Sequence, residues 1–346
     1  MKLNRKLLAM ILVVLGLFSL LLISGCDSFD IGSSGSTESR NPGRTDNDKP
    51  GDTETPQPSH SEEDIPEYEP VVRPIVEVPD VLIPTASGVA VEQNGQAIID
   101  FSNKQDGYIM AKYLEATDLK VKILITVPEG TQYQYTLRPN RDFEVFPLSG
   151  NNGRYEIGVF KQVEGTRYAM VLSTAIDVIL DNEFAPFLRP NQFVDFDQNS
   201  NAVRKAAELV AGLTTFMDKV GAIYNFVINN IVYDVQLAET VQTDYLPEVD
   251  RILASGKGIC FDYAALMAAM LRSQGIPTKL VIGYTGDVYH AWISVYCEED
   301  GWLDDIIFFD GSTWELVDPT FAASGTSSAI AQYIGDGSNY TVKFLH

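Results

Sequence analysis

The stretch GKGICFDYAALMAAMLRSQGIP, residues 256–277, decides the fold. From Phe261 through Ala264, Ala265, Leu266, Met267, Ala268, Ala269, Met270 and Leu271 it is apolar nearly all round, so residues 259–273 form the buried spine of a domain rather than an amphipathic surface helix. Gly275 and Pro277 end it. Cys260 falls in the first turn, where unpaired N–H groups and the positive end of the macrodipole favour a thiolate. Gly256 and Gly258 leave room for a ligand to approach the backbone. Two readings of Cys260 stand side by side: an activated nucleophile, and one more small buried apolar residue.

Working outward, residues 279–284, 290–297, 306–309 and 314–317 read as strands, and one helix followed by antiparallel strands is an α+β arrangement. Upstream, NAVRKAAELVAGL (201–213) and TFMDKVGAIYNFVINNIVYD (215–234) space apolar residues three and four apart, with Thr215 and Asp218 forming a capping box; a loop follows. A thiolate nucleophile needs a base. Of the three histidines, His60 lies in a polar tract and His346 is the last residue of the sequence, which leaves His290. In HAWISVY, His290, Trp292, Ser294 and Tyr296 share one strand face while Ala291, Ile293, Val295 and Cys297 share the apolar one, so the imidazole looks toward a cleft. An imidazole acting as base needs an orienting acceptor. WELVDPT offers Asp318, 28 residues after the histidine, where Asp-Pro stops the ladder; taken by itself such a residue is more often a turn residue.

Residues 80–196 carry short β-type runs such as KVKILITVP, QYQYTL, DFEVFPL, RYEIGVF and RYAMVLS, broken by Pro128-Glu129-Gly130 and Gly150-Asn151-Asn152-Gly153. That spacing predicts an antiparallel β-sandwich serving as a spacer or binding module, with no polar cluster suited to chemistry.

The ordered blocks GKGICFDYAALMAAMLRSQGIPTKLVIGY, HAW and DPT resemble the transglutaminase-like core, a papain-type fold whose members use a Cys-His-Asp triad. The resemblance covers residues 201–321 and implies Cys260 as nucleophile, His290 as base and Asp318 as the residue that orients it. The segment NNIVYD is similar to the family's segment before the cysteine, which would put Tyr233 at the site wall or oxyanion; Trp292, beside His290, is a further lining candidate. No cofactor is implied. The chemistry implied is acyl transfer on a protein or peptide carboxamide through a thioester, ending in amine transfer or hydrolysis. A cysteine peptidase acting on cell-wall or surface peptides, and a binding module with a relict triad, are the alternatives.

The first 26 residues set the compartment. Lys2, Arg5 and Lys6 precede a 17-residue uncharged run from Leu7 to Ile23, and Ile23-Ser24-Gly25-Cys26 closes it. This resembles a bacterial lipoprotein signal and implies cleavage of residues 1–25 and a lipid on Cys26, which would hold the chain to the membrane, extracytoplasmic; an uncleaved anchor is the alternative. Cleavage takes away three positive charges and no negative ones, moving the net charge from −22 to −25. Residues 26–79 are rich in Ser, Gly, Thr, Pro, Asp and Glu and form a tether whose ~45-residue coil reaches roughly 35–40 Å. Residues 197–346 then complete the order of signal, tether, β domain and transglutaminase-like domain.

So acidic a chain excludes roles that depend on neutralising phosphate, nucleic-acid binding above all. No Cys-x-x-Cys and no second histidine near His290 means no zinc site is expected. Asp300, Asp304, Asp305 and Asp310 do not match a calcium loop, and no glycine-rich phosphate loop is visible. Trp292, Trp302 and Trp314 either wall a cleft or pack at a rim. Strand parity turns Cys297 away from the His290 face, so both it and Cys260 are expected free, the alternative being a Cys260-Cys297 disulfide.

Overall fold

The computed structural model describes residues 76–140 and 142–303, the backbone of 307–309 and 314–316, and residues 340–346. The signal, the tether up to residue 75, Cys26, Asp318 and the side chain of Trp314 lie outside the described residues.

Eight strands come first: β1 (Val91–Gln93), β2 (Ala97–Asp100), β3 (Tyr108–Tyr113), β4 (Val121–Thr126), β5 (Gln132–Thr136), β6 (Glu144–Pro147), β7 (Gly153–Glu164) and β8 (Arg167–Val178). They form two antiparallel sheets, ordered β1-β2-β3-β6 and β5-β4-β7-β8. Period-two alternation drives the packing: in β4, Val121, Ile123 and Ile125 are buried while Lys122, Leu124 and Thr126 are half-buried. Each fully buried aliphatic of this kind is worth about 2 kcal/mol. The inward residues of both sheets, from Ile99 and Ile109 to Tyr155 and Ile157, share one core.

The second half begins with α1 (Asn201–Val210) and α2 (Phe216–Asn230). Thr215 caps α2 as the sequence suggests: its hydroxyl accepts the Asp218 N–H at 3.1 Å. A two-residue strand, β9 (Val232–Tyr233), pairs in parallel with β10 (Lys257–Gly258). Between them lie α3 (Val235–Thr240) and α4 (Val249–Ser255), where the sequence reads as loop; both are too short to announce themselves by periodicity. Asp234 caps α3, accepting the Leu237 N–H at 2.9 Å.

The helix that opened the sequence reading is α5 (Cys260–Arg272). Tyr263 through Leu271 are essentially without solvent contact, wrapped by α1, α2, α4 and a third antiparallel sheet. That sheet runs β13-β12-β11-β16, from β11 (Thr278–Thr285), β12 (Val288–Cys297), β13 (Gly301–Leu303) and β16 (Tyr340–Leu345), while β14 (Ile307–Phe309) pairs with β15 (Trp314–Leu316). The fold is therefore mixed, with a cysteine-bearing helix against an antiparallel sheet.

The two halves touch. Phe193 and Phe344 pack against both cores, the Leu345 N–H donates to the Tyr133 hydroxyl at 3.2 Å, and the Ser149 hydroxyl donates to the Leu345 carbonyl at 2.7 Å. Arg272, at the end of α5 and 3% exposed, donates to the carbonyls of Thr278, Arg189 and His346. A buried guanidinium is tolerated there because its donors meet acceptors.

Candidate active site

The first turn of α5 is held by a buried carboxylate. Asp262 has no solvent exposure; its Oδ2 accepts the Ile259 N–H at 2.9 Å and its Oδ1 accepts the Tyr245 hydroxyl at 2.6 Å. Arg251 completes the cluster, donating to the Tyr245 oxygen. Burial pushes the Asp262 carboxyl above its ordinary range, and the Tyr245, Ile259 and Arg251 contacts pull it back only in part. This explains Gly258 differently from the sequence reading. A Cβ there would lie 2.5 Å from the Asp262 Cβ, so the glycine admits the capping side chain rather than a ligand. Gly256 likewise serves the fold: at φ 62 it ends α4 in the left-handed region, its N–H donating to Ile252 O at 3.0 Å.

Cys260 stands on this turn, partly exposed, with a free thiol. The β9–β10 ladder sets Tyr233 against Gly258, tightened by Val232 N–H donating to Gly256 O at 2.8 Å and Asp234 N–H to Gly258 O at 2.9 Å. The aromatic side chain is thereby brought next to the cysteine turn.

His290 pairs with Gly283 across β11 and β12. Its ring stacks over Trp292 at 6.1 Å between centroids and 20° between planes. Gly283 is required by close approach, since a Cβ would lie 2.1 Å from the Thr341 carbonyl oxygen and 2.8 Å from the Trp292 ring. Alternation holds, for Ala291, Ile293 and Val295 pack into the helix core. The His290 face is nonetheless not an open polar face: His290, Trp292 and Ser294 are all buried. Cys297 is buried and free, on the Ala291 face.

One cavity of about 680 Å³ brings Cys260, His290 and Tyr233 together. Trp292 lies behind His290 and is not part of its lining. Trp302 is elsewhere, packed on Phe187 and Tyr296 with the Lys279 ammonium 3.6 Å above its ring. Asp318 lies outside the described residues, two positions beyond the end of β15.

Three contributors were not found from sequence. Tyr289 lines the cavity beside His290, and its phenol is held above the usual range by burial, with Tyr284 and Cys260 adding to it. The β half, read as chemically bland, supplies a wall through Gln134, Tyr135 and Thr136. His346, set aside for its position, is 3% exposed, lines the same cavity and meets the Tyr135 hydroxyl at 3.0 Å through Nδ1. Burial, reinforced by the Arg272 charge, pushes its imidazole down to about 3. It is neutral at physiological pH and would not carry a proton there.

Residues 203–304, from α1 to the end of β13, match the model of the transglutaminase-like superfamily, so the second half carries a transglutaminase-like core. Among curated proteins, the chain is 30% identical over 118 residues to the uncharacterised protein YebA of Bacillus subtilis, covering 28% of this chain and 16% of that protein. It is 29% identical over 107 residues to a protein-glutamine gamma-glutamyltransferase of Pseudomonas aeruginosa, covering 26% of this chain and 14% of that one. The match thus spans about a sixth of these relatives' length. Among solved structures, a candidate cysteine protease from Cytophaga hutchinsonii is similar at 17% identity and a TM-score of 0.35, over 69% of this chain and 83% of that one. Red sea bream transglutaminase is similar at 13% and 0.26, over 70% and 49%.

Proposed function

We propose that this chain is a cysteine acyltransferase or amidase acting on protein or peptide carboxamides. The observation that carries the reading is a part-exposed cysteine on the first turn of a buried helix, sharing one cavity with a buried histidine. The Cys260 thiolate attacks the carboxamide carbonyl, the backbone N–H groups of the helix start receive the oxyanion, and the His290 imidazolium protonates the departing nitrogen, which leaves as ammonia. Asp318 is proposed to orient the imidazole. The thioester then passes to an amine, giving an isopeptide bond, or to water, giving the acid. Which acceptor wins depends on water exclusion by the cavity walls.

The test is mass spectrometry of extracellular proteins incubated with the purified chain and a biotinylated alkylamine. Incorporated probe, or glutamine converted to glutamate, is the expected result; cleavage alone would point to a peptidase, and unchanged proteins would defeat the reading.

We further propose that the chain is lipid-anchored outside the cytoplasm through Cys26. The support is the basic start, the uncharged run and the small residues before that cysteine. Cys26→Ser should abolish incorporation of radiolabelled palmitate in the producing bacterium, and undiminished labelling would remove the proposal.

A further inference from the structure

β5 stands at the edge of its sheet, paired to β4 on one side and, among the described residues, to no strand on the other. The ladder shows which of its backbone groups are spare. At one end the Leu137 N–H donates to Val121 O at 2.9 Å, and at the other the Val127 N–H donates to Thr131 O at 3.0 Å. Bonded and unbonded pairs alternate in an antiparallel ladder. Between those two ends the bonded pairs are therefore Ile123 with Tyr135 and Ile125 with Tyr133. Gln132, Gln134 and Thr136 turn their N–H and C=O groups outward. The Thr136 carbonyl is taken by Gln192 Nε2 at 2.6 Å, whereas among the described residues no hydrogen bond answers the N–H or C=O of Gln134. Gln134 and Thr136 are also the residues through which β5 enters the cavity holding Cys260.

A second observation comes from Gln192, which is 5% exposed and lines that cavity as well as a neighbouring one of about 250 Å³. Its Nε2 serves two acceptors, Thr136 O and Glu144 Oε2, each at 2.6 Å, and this fixes which way the amide points. Among the described residues its Oε1 is left buried without a hydrogen-bond partner. A buried acceptor in that state is destabilising, and an incoming N–H would relieve it.

We infer that the substrate is an extended peptide segment that adds as a further strand to the outer edge of β5. Gln134 exchanges main-chain hydrogen bonds with it, and Gln192 Oε1 accepts one more of its N–H groups, so that a carboxamide side chain is delivered toward Cys260. The delivery step rests on the acyl-transfer reading above; the docking rests on the ladder alone. Main-chain pairing of this kind selects for extended conformation and tolerates varied side chains. Segments locked in helices would be refused.

Binding of a dansylated heptapeptide with one central glutamine to the full chain carrying Cys260→Ala, followed by fluorescence anisotropy, tests this without turnover. Gln134→Pro deletes the outward N–H of that residue and leaves every bond between β4 and β5 in place, since proline is accepted at an edge position of that kind. It should weaken binding at least tenfold, whereas Gln134→Ala, which keeps the N–H, should weaken it less than twofold. A series of the same peptide N-methylated at successive positions leaves the protein untouched, and should lose affinity at every second position. Equal affinity for Gln134→Pro and its parent, a methylation series without a period of two, or no binding of the unmodified peptide would each overturn the inference. If the peptide docks with this pattern while wild type neither transfers an amine nor hydrolyses glutamine, the docking stands and the acyl-transfer reading falls.

Discussion

Replacing His290 with Ala is expected to slow alkylation of Cys260 by iodoacetamide at pH 6 about tenfold or more, and to abolish turnover together with it. Cys260 sits at a helix start, in the same cavity as His290 and beside Tyr233. An imidazolium there stabilises the thiolate, and the thiolate is the reactive species. Cys297 is a poor internal standard, because burial alone would make it slow. The informative comparison is Cys260 with and without the imidazole, each site followed by mass spectrometry of its own peptide. Turnover should fall at least about a thousandfold for Cys260→Ala and for His290→Ala alike, and the double variant should be no worse, since members of a catalytic unit do not act additively. Equal alkylation rates in wild type and His290→Ala from pH 5 to 9 would rule out a nucleophile activated by His290, and would favour a binding module built on the same fold.

The second large effect is on stability. His346 has its imidazole pushed down to about 3, first by burial and then by Arg272, against an ordinary value of 6.5. The folded state therefore resists protonating it while the unfolded state does not. Stability from this group is fully present above pH 6.5 and is lost as the pH falls from 6.5 toward 3. At about 1.36 kcal/mol per unit, the full loss is on the order of 5 kcal/mol, a large part of a typical domain's stability. The carboxyls of Asp262 and Asp195 act in the opposite sense, because their raised values let the folded state take up protons more readily. His346→Gln isolates the histidine: it keeps a hydrogen-bonding partner for Tyr135 and cannot titrate in this range. Urea unfolding at pH 7 and pH 4 should show wild type losing roughly 3 kcal/mol more than His346→Gln between the two. Parallel losses in the two proteins would show that the imidazole is not the group responsible.

The helix and its cysteine were legible because α5 is apolar on every side, a pattern that few contexts other than a domain centre permit. The strands of β4, β7, β8, β11 and β12 were legible from alternation and turn residues, with ends displaced by one to several positions. What was not legible depends on contacts between residues remote in sequence. Gly258 looked like an opening for a ligand, and only Asp262 packed against it reveals its purpose. α3 and α4 are too short for a periodic signal, and β16 pairs with β11 across more than fifty residues. His346 was discounted because chain ends are ordinarily exposed, a rule that fails here because Tyr133, Tyr135, Phe193 and Phe344 close around it. The part of the β half in walling the cavity was hidden for the same reason, since nothing in QYQYTL announces that one edge of that strand borders a cavity in another layer.

The contact between Tyr133 and Leu345 joins positions 212 apart in the chain, and that between Tyr135 and His346 joins positions 211 apart. Loops of that size close late, after local structure has formed. On the ribosome the helix that carries Cys260 is finished nearly seventy residues before β16 emerges. A nascent chain thus carries its thiol for a time without the wall that β5 and β16 jointly provide.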